Sequence, residues 1–496
     1  MLRNNFRQLI RTTLGYSMNT LVGPIFTLLL TPLYTRVLGV DNYGVIGVLT
    51  PLGMLIFLLG LLGLTSALPV LYYDPLWREQ QRRVVASALW VAAIWSSALG
   101  VCVFLGAVPL TRVAVGQLMR DDMPELVRLI AIGLPFGVIY SLQTTVLRLH
   151  FAVWRANLLA ILYIFATAGT NLVFVVLLGW GVYGVISAGV LTNVIMGVAG
   201  LAAAPASLAV LPATALMRLL VRTSVPLLPA SLAVWVLTYG DRLFLPRSVA
   251  YQQIGVYDIA NKLASALSLL VEPFKSAWGP FALSIQQDPN APRTYSKVLT
   301  YYCIVGLGLG LALSLFAHEA LLILTTPQFI NAERYIWLLA LTSLSSGFSL
   351  VVMIGLLLEK KLAQAAWMVT TAAGLNTLLN FLLIPPLGVL GAAAATALAY
   401  MASALLTAIR AQRVHPLPYE WRKVGIILAV YLALTGCGLA LGSRVEPLSI
   451  ASRLGLLLAY PLVLWLLGVF ELWELQLARR ALAQPQLLLR WMLRRT

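Results

Sequence analysis

Asp241 and Arg242 stand side by side in an otherwise apolar stretch, and Asp258, Lys262, Glu272 and Lys275 follow in the next one. An ionisable side chain at membrane depth costs at least about 2.5–3.5 kcal/mol on insertion scales, so each of these residues is a functional candidate by default. Asp258 and Lys262 are one helical turn apart, and Glu272 returns to their face if the helix is unbroken, which makes one stripe polar. In a water-filled cavity, cations would attract a pyrophosphate while a carboxylate carries a coupling proton or sodium ion. On that reading Arg36, Arg242 and Lys262 hold the pyrophosphate, and Asp241, Asp258 and Glu272 are the ion-coupling acids. The competing reading is structural: Asp258 pairs with Lys262 inside its own helix, and Asp241 and Arg242 sit at an aqueous interface. Arg148 and Arg155, on either side of His150, are placed to meet an anionic headgroup at a cytoplasmic mouth, and an ordinary positive loop explains them equally well.

The elements that must position these residues are membrane helices. The chain has 496 residues, 60% hydrophobic and only 10% charged, with a mean hydropathy of +0.90, whereas soluble domains carry about 25% charged residues. A hydrocarbon layer of roughly 30 Å needs about 20 apolar residues per helix. Apolar runs predict helices near 14–35, 43–66, 84–108, 126–147, 157–178 and 182–203, then near 223–245, 253–278, 298–321, 333–357, 363–384 and 388–410. A last pair falls near 424–442 and 451–470. The expected fold class is therefore an all-α polytopic membrane protein of about fourteen helices. Pro226 and Pro229 open the helix that ends in Asp241-Arg242 and are expected to bend it around a cavity.

Gly181-Val182-Tyr183-Gly184-Val185 recurs as Gly388-Val389-Leu390-Gly391-Ala392, each opening a helix and each preceded by an apolar helix with an asparagine, Asn171 or Asn376. A weaker match sets Thr35-Arg36 before Tyr43-Gly44 against Asp241-Arg242 before Gly255-Val256-Tyr257. Internal repeats of this kind accompany transporters that work by alternating access. They divide the chain into a six-helix lobe over residues 1–210, a second over 211–415, an extra pair over 416–473 and a basic tail over 474–496 that reads as an interfacial helix held by anionic lipid.

With an even helix number both termini share one side. Most of the 34 Lys and Arg residues fall on the side of the N-terminus, which predicts cytoplasmic termini in a bacterial inner membrane. The net charge of +17 is thus a topology signal and not a nucleic-acid footprint. Cys102, Cys303 and Cys437 lie singly in apolar segments, so neither a disulfide framework nor a metal site is expected. No phosphate-binding GxxxxGK[ST] loop, HExxH or GxSxG is present, so an enzyme is not expected, nor is a cofactor beyond a coupling proton or sodium ion.

Three stretches carry a family resemblance. Ser224-Val225-Pro226-Leu227-Leu228-Pro229, running through Trp235 to Asp241-Arg242, is similar to the Pro-x-x-Pro, Trp and Asp-Arg pattern of the Wzx-like oligosaccharide flippases. Gly255-Val256-Tyr257, Ala260, Lys262-Leu263-Ala264 and Ala277-Trp278-Gly279-Pro280-Phe281 resemble the same family's eighth-helix signature, and Asn376, Asn380, Pro385, Gly388 and Gly391 form a third match. The resemblance covers nearly the whole chain. It implies two six-helix lobes that move an undecaprenyl-pyrophosphate-linked oligosaccharide from the cytoplasmic to the outer leaflet for surface polysaccharide synthesis. It also implies membrane lipids as partners, and a polysaccharide polymerase and glycosyltransferases as possible ones. Cation-coupled drug exporters of the MATE type and lipid II flippases share the superfamily and are the alternatives. Thr35-Arg36-Val37 and Asp41-Asn42-Tyr43-Gly44 stand where a lipid II flippase would carry paired Ser-Arg and Arg-Asp motifs, and cavity cations weigh against a drug exporter. A glycan polymerase or ligase would need a large extracytoplasmic loop, and the longest, about 109–125, is small.

Overall fold

In hydrocarbon every backbone N–H and C=O must be satisfied within the chain, which leaves this composition helices to form. A computed structural model describes residues 2–203, 210–441 and 447–471, with side chains described from Thr31 onward apart from isolated positions. It is all-helical among the described residues. The order is α1 (Leu2–Leu61), α2 (Leu64–Tyr72), α3 (Gln81–Leu105), α4 (Ala107–Val115), α5 (Met123–Leu149), α6 (Val153–Asn171), α7 (Gly181–Ala203), α8 (Thr214–Ser224), α9 (Leu228–Tyr239) and α10 (Asp241–Phe244). There follow α11 (Tyr251–Ala264), α12 (Ser268–Ser284), α13 (Ala291–Leu315), α14 (Ala317–Leu324), α15 (Glu333–Val352), α16 (Ile354–Leu358), α17 (Leu362–Leu387), α18 (Val389–Val414), α19 (Trp421–Leu441) and α20 (Pro447–Leu466). The tail expected at 474–496 lies outside the described residues.

Among the described residues twelve spans are long and apolar enough to cross a membrane, or thirteen when the bent pair Tyr251–Leu267 and Val271–Ser284 is taken as one. That is fewer than the fourteen expected from sequence. The count leaves out the expected helix 14–35, most of whose side chains lie outside the described residues, and α1 is two helices joined across a kink at the non-helical Gly39 (φ 70, ψ 170), between the helices expected at 14–35 and 43–66. Glycine alone adopts this conformation cheaply.

The repeated Gly-x-x-Gly motif has one geometry at both sites. Gly181 and Gly388 take φ of 55° and 57°, turning the chain from one helix into the next. Gly184 packs so tightly on the previous helix that a Cβ would lie 2.8 Å from the Phe174 carbonyl oxygen, and a Cβ on Gly391 would collide with the Leu383 carbonyl. The two hairpins α6–α7 and α17–α18 are thus built alike.

The last pair is fastened to the second half of the chain by polar atoms as well as apolar packing. Tyr431 of α19 donates to the Trp337 carbonyl at 2.9 Å, and Tyr460 of α20 lies against Gly308 and donates to the Ile304 carbonyl at 2.9 Å. Arg453, 2% exposed, pairs with Glu319 at 2.8 Å and donates to the Leu315 carbonyl at 3.1 Å.

Candidate functional site

At Pro226 the helix tightens: Val225–Leu227 form a 3-10 turn between α8 and α9, within the single span Thr214–Tyr239. α9 then delivers Asp241 and Arg242 to the interior rather than to an aqueous interface, with side chains 1% and 3% exposed. Arg242 Nη1 donates to both carboxylate oxygens of Asp241 at 2.8 Å, and its guanidinium stacks 4.7 Å from the Tyr257 ring. Tyr257 and Thr396 hydroxyls also donate to Asp241 Oδ2. From α11, Asp258 Oδ1 faces Arg242 Nη2 at 3.7 Å, and Asp258 Oδ2 pairs with Lys262 Nζ at 3.2 Å. Lys262 in turn donates to the Tyr43 hydroxyl at 2.6 Å, across to α1, and sits over that ring. The result is a line of alternating charge, Asp241–Arg242–Asp258–Lys262, that ends on a tyrosine of the other half of the chain.

The line is neutral as a whole, which is how buried charges are tolerated: each carboxylate has a cation and each cation a carboxylate. Its members differ in access. Arg242 is enclosed, so its charge is spent on the two aspartates. Lys262 is 27% exposed and Asp258 16%, so the Lys262 end alone opens outward. Beside the closed end, Asn376 and Asn380 are fully buried on α17 and bonded to each other at 2.9 Å, while Asn376 Nδ2, Asn380 Oδ1 and Arg242 Nε lack a protein partner.

The other sequence candidates are not brought to this line. Arg36 is exposed on α1 and makes no ion pair among the described residues. Glu272 lies on α12 beyond a 41° bend and pairs with Lys275 at 2.6 Å. The polar stripe expected to join it to Asp258 assumed an unbroken helix, and the 3-10 turn Ser265–Leu267 breaks that register. Arg148 and Arg155 are exposed at one end of the bundle, on either side of the turn that closes with Phe151 at φ 55°.

The opposite end is shut. Gly44 of α1 meets Tyr251 of α11 with no room for a side chain, and a Cβ on Gly255 would lie 2.6 Å from the Val40 carbonyl oxygen. Tyr251 donates to the Leu118 carbonyl at 2.5 Å, and Arg120 bridges Asp122 at 2.9 Å and Asn42 at 3.2 Å. The sequence marks Tyr43-Gly44 and Gly255 as a repeat, but it carries no sign that the two copies touch. Tyr43, Tyr257 and Thr396 were likewise missed as partners, because a lone hydroxyl in an apolar helix looks like packing.

A bundle of long apolar helices built on an internal hairpin repeat, with a neutralised line of charge running from one half to the other, defines a multi-pass membrane transporter. Solved structures share this fold: an inward closed lipid II flippase MurJ matches with a TM-score of 0.71 at 12% identity, over 92% of this chain and 98% of that one. An inward-facing multidrug resistance MATE transporter of the MOP superfamily matches at 0.66 and 13% identity, over 83% and 99%. An outward-facing MATE transporter of the same superfamily matches at 0.54 and 14%, over 85% and 96%. No curated protein matches the sequence. The family described as polysaccharide biosynthesis protein matches residues 33–334, and the chain belongs to this family of Wzx-like flippases. It is a membrane transporter of polysaccharide biosynthesis and not an enzyme.

Proposed function

We propose that the protein flips an undecaprenyl-pyrophosphate-linked oligosaccharide from the cytoplasmic to the outer leaflet of a bacterial inner membrane, with both termini in the cytoplasm. The observation that carries this reading is Lys262, the one cation of the charged line with access outward, held between Asp258 and Tyr43 where the two halves of the chain meet. A pyrophosphate that takes the Lys262 ammonium in charge-assisted hydrogen bonds draws it from Asp258. Asp258 then faces Arg242 alone at 3.7 Å and is the carboxylate on which a proton or sodium ion replaces the lost charge. Asp241 stays committed to Arg242 and Tyr257, so the coupling role goes to Asp258 and not to Asp241 or Glu272.

Movement follows from the shut end. The lobes 1–210 and 211–415 separate where Gly44 and Gly255 now touch and close at the Arg148 and Arg155 end, which presents the site to the other leaflet. The higher TM-scores of the two inward structures than of the outward-facing one support an inward-facing state here.

The test is delivery of a fluorescent undecaprenyl-pyrophosphate oligosaccharide across proteoliposomes, with and without a pH or sodium gradient. Delivery above empty liposomes supports the reading, and Asp258→Asn should remove any gradient dependence. No delivery, with gradient-driven efflux of a cationic dye instead, would make the protein a drug exporter.

A further inference from the structure

Away from the charged line, α8 carries three stripes at helical spacing. Leu216, Leu220 and Ser224 are buried against the bundle. Met217, Val221 and Val225 form one wall of a groove of about 590 Å³ whose other wall is Val91, Ile94 and Trp95 of α3. Arg218 and Arg222, one turn apart, form its rim. Both arginines are exposed, neither has an ion pair among the described residues, and α8 holds no acid.

The depth of this groove can be read from the chain. Arg247 Nη2 donates to the Val113 carbonyl at 2.7 Å, which sets the far ends of these two segments at one level. A membrane crossing takes about 20 residues. Counting that far back from Arg247 and from Val113 arrives at the 3-10 turn Val225–Leu227 on one segment and close to Trp95 on the other. The groove therefore straddles the edge of the hydrocarbon, with exposed Trp95 at the level where tryptophan concentrates. Arg218 and Arg222 lie one to two turns further out, among headgroups.

We propose that this groove binds one anionic phospholipid of the leaflet at the Arg148 and Arg155 end, its acyl chain along Val91, Ile94, Val221 and Val225 and its phosphodiester on Arg218 and Arg222. Two guanidiniums one turn apart can each take one of the two free oxygens of a single phosphate. The groove has the volume of one acyl chain, far less than a polyprenyl chain needs, so the occupant is a bilayer lipid and not the transported one. Because α8 leads through the 3-10 turn into α9, an occupied groove holds the segment that carries Asp241 and Arg242.

The experiment uses the whole protein in nanodiscs with acyl-brominated lipids, reading the Trp95 share of quenching as the difference between wild type and Trp95→Phe. Brominated phosphatidylglycerol should quench that share at least about twofold more than brominated phosphatidylcholine at equal mole fraction, and the preference should vanish in R218Q/R222Q. Equal quenching by the two lipids in the wild type would overturn the proposal. So would relief of quenching by unbrominated undecaprenyl-pyrophosphate equimolar with protein, where unbrominated phosphatidylglycerol gives none. Retention of phosphatidylglycerol over phosphatidylcholine by wild-type protein in native mass spectrometry, lost in R218Q/R222Q, is the check that needs no change at Trp95.

Discussion

Arg242 shows how a residue can be legible as important without its role being legible. Its place in an apolar stretch beside Asp241 marks it as costly and therefore kept, and that much needs no structure. Whether its charge faces a substrate or another side chain depends on Asp258 and Tyr257 from a separate helix, which no local spacing reports. The same physics gives a stability prediction. Arg242→Met alone leaves Asp241 buried without its cation and should cost about 3–5 kcal/mol, whereas Arg242→Met with Asp241→Asn removes both charges and should recover most of it. Thermal unfolding of the detergent-solubilised variants measures this; a double variant no more stable than the single one would contradict the account of the pair. Lys262 differs because its end of the line is open, so Lys262→Gln should leave folding intact and act on transport.

At the scale of elements, hydropathy and Gly/Pro punctuation located most helices to within about four residues, because a hydrocarbon-spanning segment has a fixed length, although those expected from 223 and 298 begin at Thr214 and Ala291. The paired turns at Gly181 and Gly388 were also visible, since positive φ and close helix packing both select glycine. The bend within α11–α12 was not, because it is settled by what packs against it. Contact between Gly44 and Gly255 belongs to this scale. Gly255→Val should prevent α1 and α11 from closing at the shut end. Labelling of a cysteine placed at Ile254, which is buried in the closed contact, by a thiol reagent added from that side should then rise several-fold while transport falls to near background. Unchanged labelling would show that this contact is not a gate.

At the scale of the whole molecule, the last helix pair is joined to the rest by a charge network at the end where α19 begins. Glu420 accepts from Lys423 and Thr300, each at 2.8 Å, and from Lys297 at 3.2 Å, and Glu471 pairs with both lysines. Burial alone would raise the Glu420 pKa, but the hydrogen bonds from Lys423, Thr300 and Lys297 outweigh it and hold the carboxyl below its ordinary value. A depressed folded-state pKa adds stability above the unfolded value and loses it as pH falls through the folded one. The stability gap between wild type and Glu420→Gln should therefore be full at about pH 6 and shrink on acidification below about pH 4, the ordinary glutamate range. Unfolding midpoints across that interval measure it, and a gap independent of pH would contradict the assignment. Composition announced the membrane class, but how the pair docks depends on Arg453, Tyr460 and Glu420 meeting partners more than a hundred residues away.

The central claim is that the exposed end of the charged line, Lys262, receives a pyrophosphate. The most direct measurement is the proteoliposome transport rate of a pyrophosphate-linked lipid oligosaccharide relative to its monophosphate-linked counterpart, for wild type and Lys262→Gln at equal protein. The account predicts a clear preference for pyrophosphate in the wild type, and in the variant a roughly tenfold or greater loss of rate that falls on the pyrophosphate lipid and erases the preference. An unchanged preference in Lys262→Gln would contradict it.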